Sequence, residues 1–545
     1  MWPCRNEGFD ADLYSAVQAC SDFACGLGIN IPTGKDSLSM TQKYSDGSKV
    51  IAPGTVIISA AGEVDNIRRT VSPVLVNKKN TTLYYIDFTG DQLRLGGSAL
   101  YQTMGRVGSD VPTVASAEYF AKAFDAVQRL VRRRALLAMH DVSAGGTVVT
   151  LLEMLFANTR GGLQVSTEAL DGVVIKALFA ENPAVIIQVA DSSCESVEKT
   201  FADAGVKCVA LGKPIAERSL IVNGTAYDVD ALRDRWYSPS HNLDRLQSGK
   251  DCADARYANY KHQPLRYAIS SKFDGSLASR GLSFEHKSEG AVKAAIIREK
   301  GVNGDREMAY SLYLAGFDVK DVHLSDLMSG REDLSDVQMI VFCGGFSNSD
   351  VLGSAKGWAA GFLYNDNARR ALDNFYARPD TLSLGICNGC QLMVALGLIK
   401  PAVPQSRPIE MEHNVSHKFE SSFLGLTIPA NKSVMLGNLA GMKLGIWVAH
   451  GEGKFVLPGG VSRYNVAARY SYSEYPGNPN GSAGAVAAIC SPDGRHLAMM
   501  PHLERAIFPW QCGVYPRSRR NDDVTPWFDA FVNARRWIED YNAAK

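Results

Sequence analysis

Short apolar runs alternate with helical stretches over the second half of the chain. The runs VKAAIIRE, MIVF and TLSLGI lack the polar alternation of a half-exposed strand, so they predict strands buried on both faces. MAYSLYLAGF and NGCQLMVALGLI instead place apolar residues at helical spacing. This alternation predicts an α/β domain with a mostly parallel sheet over residues 291–545. Such sheets hold their active sites beyond the carboxyl ends of the strands.

The first half shows a different order of elements. Strand patterns such as TTLYYIDF, AVIIQVA and CVALGKP are separated by longer mixed segments, which predicts an α+β domain over 76–225, preceded by an α/β piece over 1–75. Residues 226–290 are polar with weak periodicity. We interpret them as a partly helical connecting segment, although an irregular part of a domain fits the pattern equally well.

Composition narrows the class of protein without identifying it. The 545 residues carry 57 basic and 57 acidic side chains, so charge offers no argument for nucleic acid or an anionic membrane as a partner. No apolar run approaches the roughly 20 residues that span a bilayer, and the start of the sequence lacks a secretory profile. The 11 cysteines are odd in number and scattered, which favours free thiols in a reducing cytoplasm.

The segment TLSLGICNGCQLMVALGLI contains a candidate nucleophile, Cys387, at a strand-to-helix junction. Gly385 and Gly389 flank it, as a sharp turn with close backbone packing requires. A thiol at a helix N-terminus is more easily ionised, and backbone N–H groups in the turn can bind an oxyanion. We predict Asn388 and Gly345, from the loop CGGFSN, as those donors.

Two other interpretations apply to the cysteines of this segment. Cys387 and Cys390 form a C-x-x-C pair, which occurs in redox centres and in zinc sites. A zinc site would need two further ligands, and the sequence has no second C-x-x-C motif. We therefore favour a buried helical position for Cys390 and a nucleophilic role for Cys387.

The segment HLAMMPHLERAIFPWQ supplies a base and a group to orient it. His502 and Glu504 lie two residues apart after a strand-like run, and such residues point to the same side of an extended chain. The carboxylate can then hold the imidazole in one tautomer and stabilise its charged form. A cysteine, a histidine and a glutamate in these positions predict a catalytic triad.

A second candidate site lies in HDVSAGG, in the first half of the chain. Asp141 ends a strand, and Ser143 precedes two glycines that lead into a helix. A helix N-terminus with glycine backbone is a ready anion site, and an adjacent carboxylate suits Mg²⁺ beside phosphate oxygens. Simple capping of the helix by either side chain is the alternative.

The motifs GICNGCQ, CGGFS, AHGEGKF, HNVSHKFESSF and PHLERAIFPWQ resemble the class I glutamine amidotransferase domain of the phosphoribosylformylglycinamidine synthase family. IPTGKDSLSM, HDVSAGG and LFAENPAVIIQV resemble the second synthetase repeat of that family. The resemblance implies a flavodoxin-like glutaminase domain and an aminoimidazole-ribonucleotide-synthetase-like repeat. It also implies Cys387, His502 and Glu504 as the triad, Gly345, Asn388 and Gln391 as glutamine-site residues, Asp141 as a magnesium ligand and Ser143 as a nucleotide contact.

The implied reaction consumes formylglycinamide ribonucleotide, glutamine, ATP and water, with Mg²⁺ as cofactor and ammonia passing between two sites. The family also carries an N-terminal domain and a first synthetase repeat that have no counterpart in this sequence. We therefore expect a fragment that exposes apolar surface, hydrolyses glutamine weakly or not at all, and forms no amidine. A non-catalytic remnant and a cysteine hydrolase acting on peptides remain as rival hypotheses.

Overall fold

The structure, a computed structural model, describes residues 1–262, 265–285, 292–401 and 407–545, apart from the side chain of Arg68. The chain forms two compact units, Met1–Pro239 and Ser240–Lys545. The predicted boundary between residues 290 and 291 lies outside the described residues. Within the described ranges, no helix is both long and apolar enough to cross a membrane.

The first unit combines short strands with helices of mixed length. Its strands are β1 (Thr41–Lys43), β2 (Lys49–Ile51), β3 (Thr81–Asp87), β4 (Leu136–Val142), β5 (Gly162–Val165), β6 (Ala184–Ala190), β7 (Cys208–Ile215), β8 (Ser219–Val222) and β9 (Thr225–Asp228). Its helices are α1 (Phe9–Gly26), α2 (Ala99–Thr103), α3 (Ala117–Arg132), α4 (Gly146–Phe156), α5 (Val174–Phe179), α6 (Cys194–Ala204) and the start of α7 (Val229–Gln247).

The core of this unit lies on both faces of one sheet, whose strand order is β4-β6-β3-β7-β5-β8-β9. All pairings are antiparallel except β5 with β8. Strand β3 is buried throughout, and its side chains alternate between two clusters. Leu83 and Tyr85 pack with α4, whereas Tyr84 and Ile86 pack with α3 and α6. The α+β pattern predicted for 76–225 is therefore present.

The beginning of the chain buries little of its surface. Among the described side chains that precede Leu75, only Trp2 and Pro3 are buried. Helix α1 contains no buried residue, and Tyr14 on it is 73% exposed. The exposed apolar surface expected from the sequence is thus found in this segment.

The second unit contains the longer sheet. Its strands are β10 (Lys293–Arg298), β11 (Asp318–His323), β12 (Met339–Phe342), β13 (Leu382–Ile386), β14 (Glu410–Glu412), β15 (Glu420–Thr427), β16 (Lys443–His450), β17 (Lys454–Val456), β18 (Asn465–Tyr470), β19 (Val486–Cys490) and β20 (His496–Met499). Its helices are α8 (Lys250–Asn259), α9 (Asp305–Leu314), α10 (Leu324–Ser329), α11 (Lys356–Leu363), α12 (Asp366–Ala377), α13 (Asn388–Ala395) and α14 (Asp529–Ala543), and α7 ends in this unit.

The strand order of the sheet is β11-β10-β12-β13-β20-β19-β18-β15-β16. Pairings from β11 to β20 are parallel, and those from β20 to β16 are antiparallel. The prediction of a mostly parallel sheet therefore holds for only one half. The other half is antiparallel because β15 and β16 form a hairpin rather than the helical crossover that a parallel pair needs.

The parallel half brings the predicted motifs together. Strands β10, β12, β13 and β20 are neighbours, and β12 and β13 are buried along their whole length. Because parallel strands end at the same edge of a sheet, the loops GVNG, CGGF, CNGC and PHLER meet at that edge. The candidate site is built there.

Candidate active site

Cys387 occupies a strained turn between β13 and α13. Its φ is 51° and its ψ is −106°, and its side chain is 5% exposed. A Cβ at Gly389 would stand 2.0 Å from the carbonyl oxygen of Phe342, and one at Gly385 would stand 2.5 Å from the Gly389 oxygen. Glycine is therefore required on both sides by backbone packing, as predicted. Helix α13 ends at Ala395, before the predicted end at residue 399, because Gly397 adopts a left-handed conformation with φ 65°.

His502 and Glu504 form the predicted pair, but not on extended chain. His502 precedes a 3-10 turn that contains Glu504, and its N–H donates to the carbonyl oxygen of Trp447 at 2.9 Å. The distance from His502 Nδ1 to Glu504 Oε1 is 2.7 Å. Both side chains are at least 98% buried. Glu504 Oε1 also lies 3.6 Å from the position of a Cβ at Gly304, beside the N-terminus of α9, where partial positive charge favours a carboxylate.

The surroundings of His502 favour its charged form. Burial alone would lower the pKa of this imidazole, but the Glu504 carboxylate and the Cys387 sulfur outweigh burial and raise the pKa to about 9. His502 Nε2 nonetheless has no hydrogen-bond partner within the described chain. The Cys387 sulfur is thus close enough to the imidazole to favour its charged form.

Gly344 lies so close to the two reacting side chains, Cys387 and His502, that a larger residue would not fit there. A Cβ at this position would stand 2.8 Å from His502 Cε1 and 3.4 Å from Cys387 Cβ. The Cys387 thiol donates to the carbonyl oxygen of Ala449 at 3.4 Å. A side chain at Gly344 would therefore meet both Cys387 and His502, while Gly345 stays the predicted oxyanion donor. The sequence signal for Gly344 was its position directly before Gly345, the predicted oxyanion donor.

The predicted glutamine-site residues surround the nucleophile. Gly345 has a φ of 133°, and a Cβ there would meet the backbone of Val302 at 2.6 Å. Asn388 opens α13, where backbone N–H groups lack intrahelical partners. Both amide ends of Gln391 are engaged, since Nε2 donates to the Glu452 oxygen at 2.7 Å and Oε1 accepts from Asn388 at 3.0 Å. Contacts of these residues with glutamine remain predictions.

Two polar residues near the nucleophile were not singled out as site residues from the sequence. Asn414 is fully buried and binds the turn after β16, accepting from the N–H of Gly453 at 3.1 Å and donating to the oxygen of His450 at 2.6 Å. Burial, together with the charge of His502, lowers the pKa of His450 to about 4 and keeps it neutral. Only the motifs HNVSHKF and AHGEGKF hinted at them.

Cys390 is completely buried in α13, and burial raises the pKa of its thiol well above the ordinary value. All cysteines of the chain are free thiols. In the parts of the chain that the structure describes, no three or more His, Cys, Asp or Glu side chains are grouped to hold a metal ion. These observations favour the buried helical position predicted for Cys390 over a zinc site.

The HDVSAGG segment leaves its two candidate residues at the surface. Asp141 lies near the end of β4 with its side chain 76% exposed, and Ser143 is exposed in the following turn. The helix N-terminus predicted to take an anion holds a carboxylate of the chain itself. Glu181 Oε1 accepts from the N–H groups of Gly145 and Ala99, both at 2.8 Å. Glu181 lies in the segment LFAENPAV, and its role as the partner of this helix N-terminus was not predicted from the sequence.

Three domain families match the chain. Residues 291–538 match the CobB/CobQ-like glutamine amidotransferase domain, residues 1–63 the FGAR-AT PurM_N-like domain, and residues 86–224 the C-terminal domain of AIR synthase related proteins. The elbow cysteine and the buried His–Glu pair lie within the first of these matches. This half of the chain is therefore a glutamine amidotransferase domain.

Relatives extend the match to the whole chain. A protein from Arabidopsis thaliana named "Probable phosphoribosylformylglycinamidine synthase, chloroplastic/mitochondrial" is 38% identical over 99% of this chain and 40% of its own length. The human phosphoribosylformylglycinamidine synthase is 37% identical over 98% of this chain and 42% of its own length. A solved structure, PurLQS from Thermotoga maritima, is 24% identical, covers 46% of this chain and 99% of its own, and has a TM-score of 0.35.

The chain is similar over nearly its whole length to phosphoribosylformylglycinamidine synthases, and it spans about 40% of the length of these curated relatives. The resemblance seen in the sequence motifs is thereby confirmed, as is the mixed α/β fold class.

Proposed function

We propose that the second unit hydrolyses glutamine, with Cys387 as nucleophile, His502 as proton carrier and Glu504 as the residue that orients the imidazole. The observation that carries this proposal is the buried 2.7 Å contact between His502 and Glu504 beside a cysteine on a strained turn. The carboxylate stabilises the imidazolium that forms when His502 takes the thiol proton.

The chemistry follows from these positions. The Cys387 sulfur attacks the side-chain amide carbon of glutamine, and the carbonyl oxygen becomes an oxyanion facing the N–H groups of Gly345 and Asn388. His502 gives its proton to the leaving nitrogen, so the carbon–nitrogen bond breaks, ammonia departs and a thioester remains. His502 then removes a proton from water, which attacks the thioester and releases glutamate and the thiol.

We further propose that the ammonia serves the reaction of the whole family, in which ATP activates formylglycinamide ribonucleotide for conversion to the amidine. The neighbouring domain matches AIR synthase related proteins, and a Thermotoga maritima relative is described as complexed with ATP. Because this chain spans about 40% of its relatives, we expect the complete reaction to need further protein. The cytoplasmic location and the internal ammonia passage also remain predictions.

The described residues give little support to the predicted magnesium site. Asp141 is a single exposed carboxylate, and no described cluster offers three ligands. Mg²⁺ bound by few carboxylates relies on substrate phosphates for the rest of its shell. Asp141 as a magnesium ligand and Ser143 as a nucleotide contact therefore stay predictions.

Labelling with a glutamine-analogue chloroketone tests the proposed hydrolysis without requiring turnover. We expect covalent modification at Cys387, blocked by glutamine and lost in Cys387→Ala, with mass spectrometry as the measurement. The matched control is Cys390→Ala in the same helix, which should still be labelled. Labelling that glutamine does not block would favour the peptide hydrolase, and an unreactive Cys387 would favour the non-catalytic remnant.

A further inference from the structure

The segment His413–Glu420, here called the strap, joins two separate parts of the second unit. One end touches the turn that flanks the nucleophile. The other end meets side chains from α8 and from the loop at Tyr475. Within the described part of the strap, Asn414 and Ser416 are buried although both are polar. Buried polar groups persist where their hydrogen bonds are satisfied, so this arrangement is specific.

At the nucleophile end, Asn414 fixes residues 449–453, here called the flanking turn. Its side chain accepts from the N–H of Gly453 and donates to the oxygens of His450 and Lys418, while its own N–H donates to the oxygen of Gly451 at 2.8 Å. Asn414 therefore closes the flanking turn against the strap.

The flanking turn in turn contacts the reacting side chain and its helix. The oxygen of Ala449 accepts the thiol of Cys387 at 3.4 Å, and the oxygen of Glu452 accepts Nε2 of Gln391 at 2.7 Å. A displacement of the turn would remove the acceptor that now orients the thiol. Without that acceptor the thiol would no longer be held in place beside His502, so its proton transfer to the imidazole would slow.

At the opposite end, Glu420 begins β15 and lies directly opposite His450 in the β15–β16 register. Its Oε1 accepts from Tyr475 OH at 2.9 Å and from the hydroxyl of Ser416. Arg256 on α8 donates to Tyr475 OH and lies 4.0 Å from the second oxygen of Glu420. The Glu420 carboxylate therefore lies where the strap, the loop at Tyr475 and α8 meet.

Arg256 also connects this junction to α7. Its guanidinium pairs with Asp244, while its other nitrogen reaches Tyr475, and its planar head lies over the Tyr475 ring at 5.0 Å. Asn259, one turn further along α8, donates to the Tyr475 oxygen at 2.8 Å. A planar guanidinium can hold two partners in fixed directions, whereas a lysine cannot.

We propose that the strap transmits the position of α7 and α8 to the nucleophile, so that Arg256, Tyr475, Glu420 and Asn414 are positioning residues for glutamine hydrolysis. This inference rests on the proposed function of Cys387. None of the four contacts the reacting sulfur; each acts through the flanking turn. A contiguous set of contacts is a physical route for coupling, and only a measured coupling establishes it.

The test compares substitutions at Arg256 and Tyr475 with a matched arginine substitution on α7. Arg256→Met removes the guanidinium contacts with Asp244 and Tyr475, and Tyr475→Phe removes the hydroxyl that links Arg256 to Glu420. Arg245→Met is the control, because Arg245 pairs at 3.1 Å with Asp254 rather than with Tyr475 or Glu420. The readout is the chloroketone labelling of Cys387, resolved into a maximal rate and a half-saturating concentration, beside the melting temperature.

We expect Arg256→Met and Tyr475→Phe to lower the maximal labelling rate by about tenfold. The half-saturating concentration and the protection by glutamine should change little. Arg245→Met should match the wild type. Glu420→Gln, which keeps an accepting oxygen, should retain more of the wild-type rate than Glu420→Ala.

Two results would overturn the inference. One is a labelling rate in both junction variants equal to that of Arg245→Met. The other is a rate change that simply follows the melting temperature across all variants, which would indicate a structural role alone. Neither result touches the proposed function, which fails separately if the wild-type Cys387 is not labelled in a glutamine-dependent manner.

Discussion

At the scale of single residues, the candidate site combines backbone strain with a buried charge. Cys387 lies in a sparsely populated conformation, a state that costs on the order of 1–3 kcal/mol. Its backbone is held at both ends, since its N–H donates to Met499 and its oxygen accepts from the N–H of Gln391 at 3.0 Å. Strain held by surrounding structure is typical of reactive residues. The charged form of His502 is favoured by two neighbours, the Glu504 carboxylate and the Cys387 sulfur.

Replacing Glu504 with glutamine tests the charge of the pair. Without the carboxylate, burial still lowers the pKa of His502 and only the Cys387 sulfur raises it, so we expect the pKa to fall below about 9. Nuclear magnetic resonance of isotope-labelled histidine follows this titration. Tyr310→Phe, a half-exposed position on α9, is a control that should leave the pKa unchanged. A wild-type His502 that titrates near 6.5 would contradict the electrostatic interpretation.

The same pair predicts how stability depends on pH. Because the folded pKa of His502 lies above its unfolded value of 6.5, its protonation stabilises the fold fully below pH 6.5 and is lost as pH rises through about 9. The contribution is on the order of a few kcal/mol. Denaturant unfolding of the wild type and of Glu504→Gln should therefore show a stability difference that shrinks between these pH values. A stability difference that stays constant between pH 6.5 and about 9 would contradict the raised pKa of His502.

At the scale of elements, the turn between β13 and α13 depends on how closely the helix approaches β12. The carbonyl oxygen of Phe342 stands where a Cβ of Gly389 would lie, at 2.0 Å. An interior that is already close-packed accommodates such an overlap only by moving backbone. The elbow therefore exists because one glycine lets a helix lie against a neighbouring strand.

Gly389→Ala should consequently damage the elbow. We expect a loss of about 1–3 kcal/mol or more in the free energy of unfolding, measured by denaturant titration, together with slower labelling of Cys387. Gly437→Ala is the matched control, because the nearest atom to a Cβ there is 4.0 Å away. An alanine at residue 389 that folds and reacts like the control would show that the helix has room to move.

The elements that the sequence predicted best are those whose signals are local. Buried strands β12 and β13 and the turn at Cys387 follow from apolar runs and flanking glycines. The antiparallel half of the sheet was missed because pairing between strands that are not consecutive, such as β15 and β18, depends on tertiary contacts that no local pattern shows. Glu181 was missed for the same reason, since its two backbone partners lie 36 and 82 residues away in sequence. The role of Asn414 likewise depends on residues 36 to 39 positions ahead.

At the scale of the whole molecule, the two units have separate apolar cores. The cluster of the second unit begins at Leu277, and the clusters of the first lie between Leu75 and Val229. No buried core residue of the described chain belongs to both sets. Because each domain-sized core supports cooperative unfolding, the units should unfold as distinct steps.

Scanning calorimetry of the 545-residue chain should therefore resolve two transitions. Alkylation of Cys387 by the glutamine-analogue chloroketone should raise the melting temperature of only one, since a ligand held by the folded state stabilises only the unit that binds it. Cys387→Ala treated in the same way is the control, and neither of its transitions should move. A single transition, or equal shifts in both, would show that the separate cores unfold together. The first unit should be the less stable of the two, because it leaves apolar residues such as Tyr14 and Ile57 about 70% exposed.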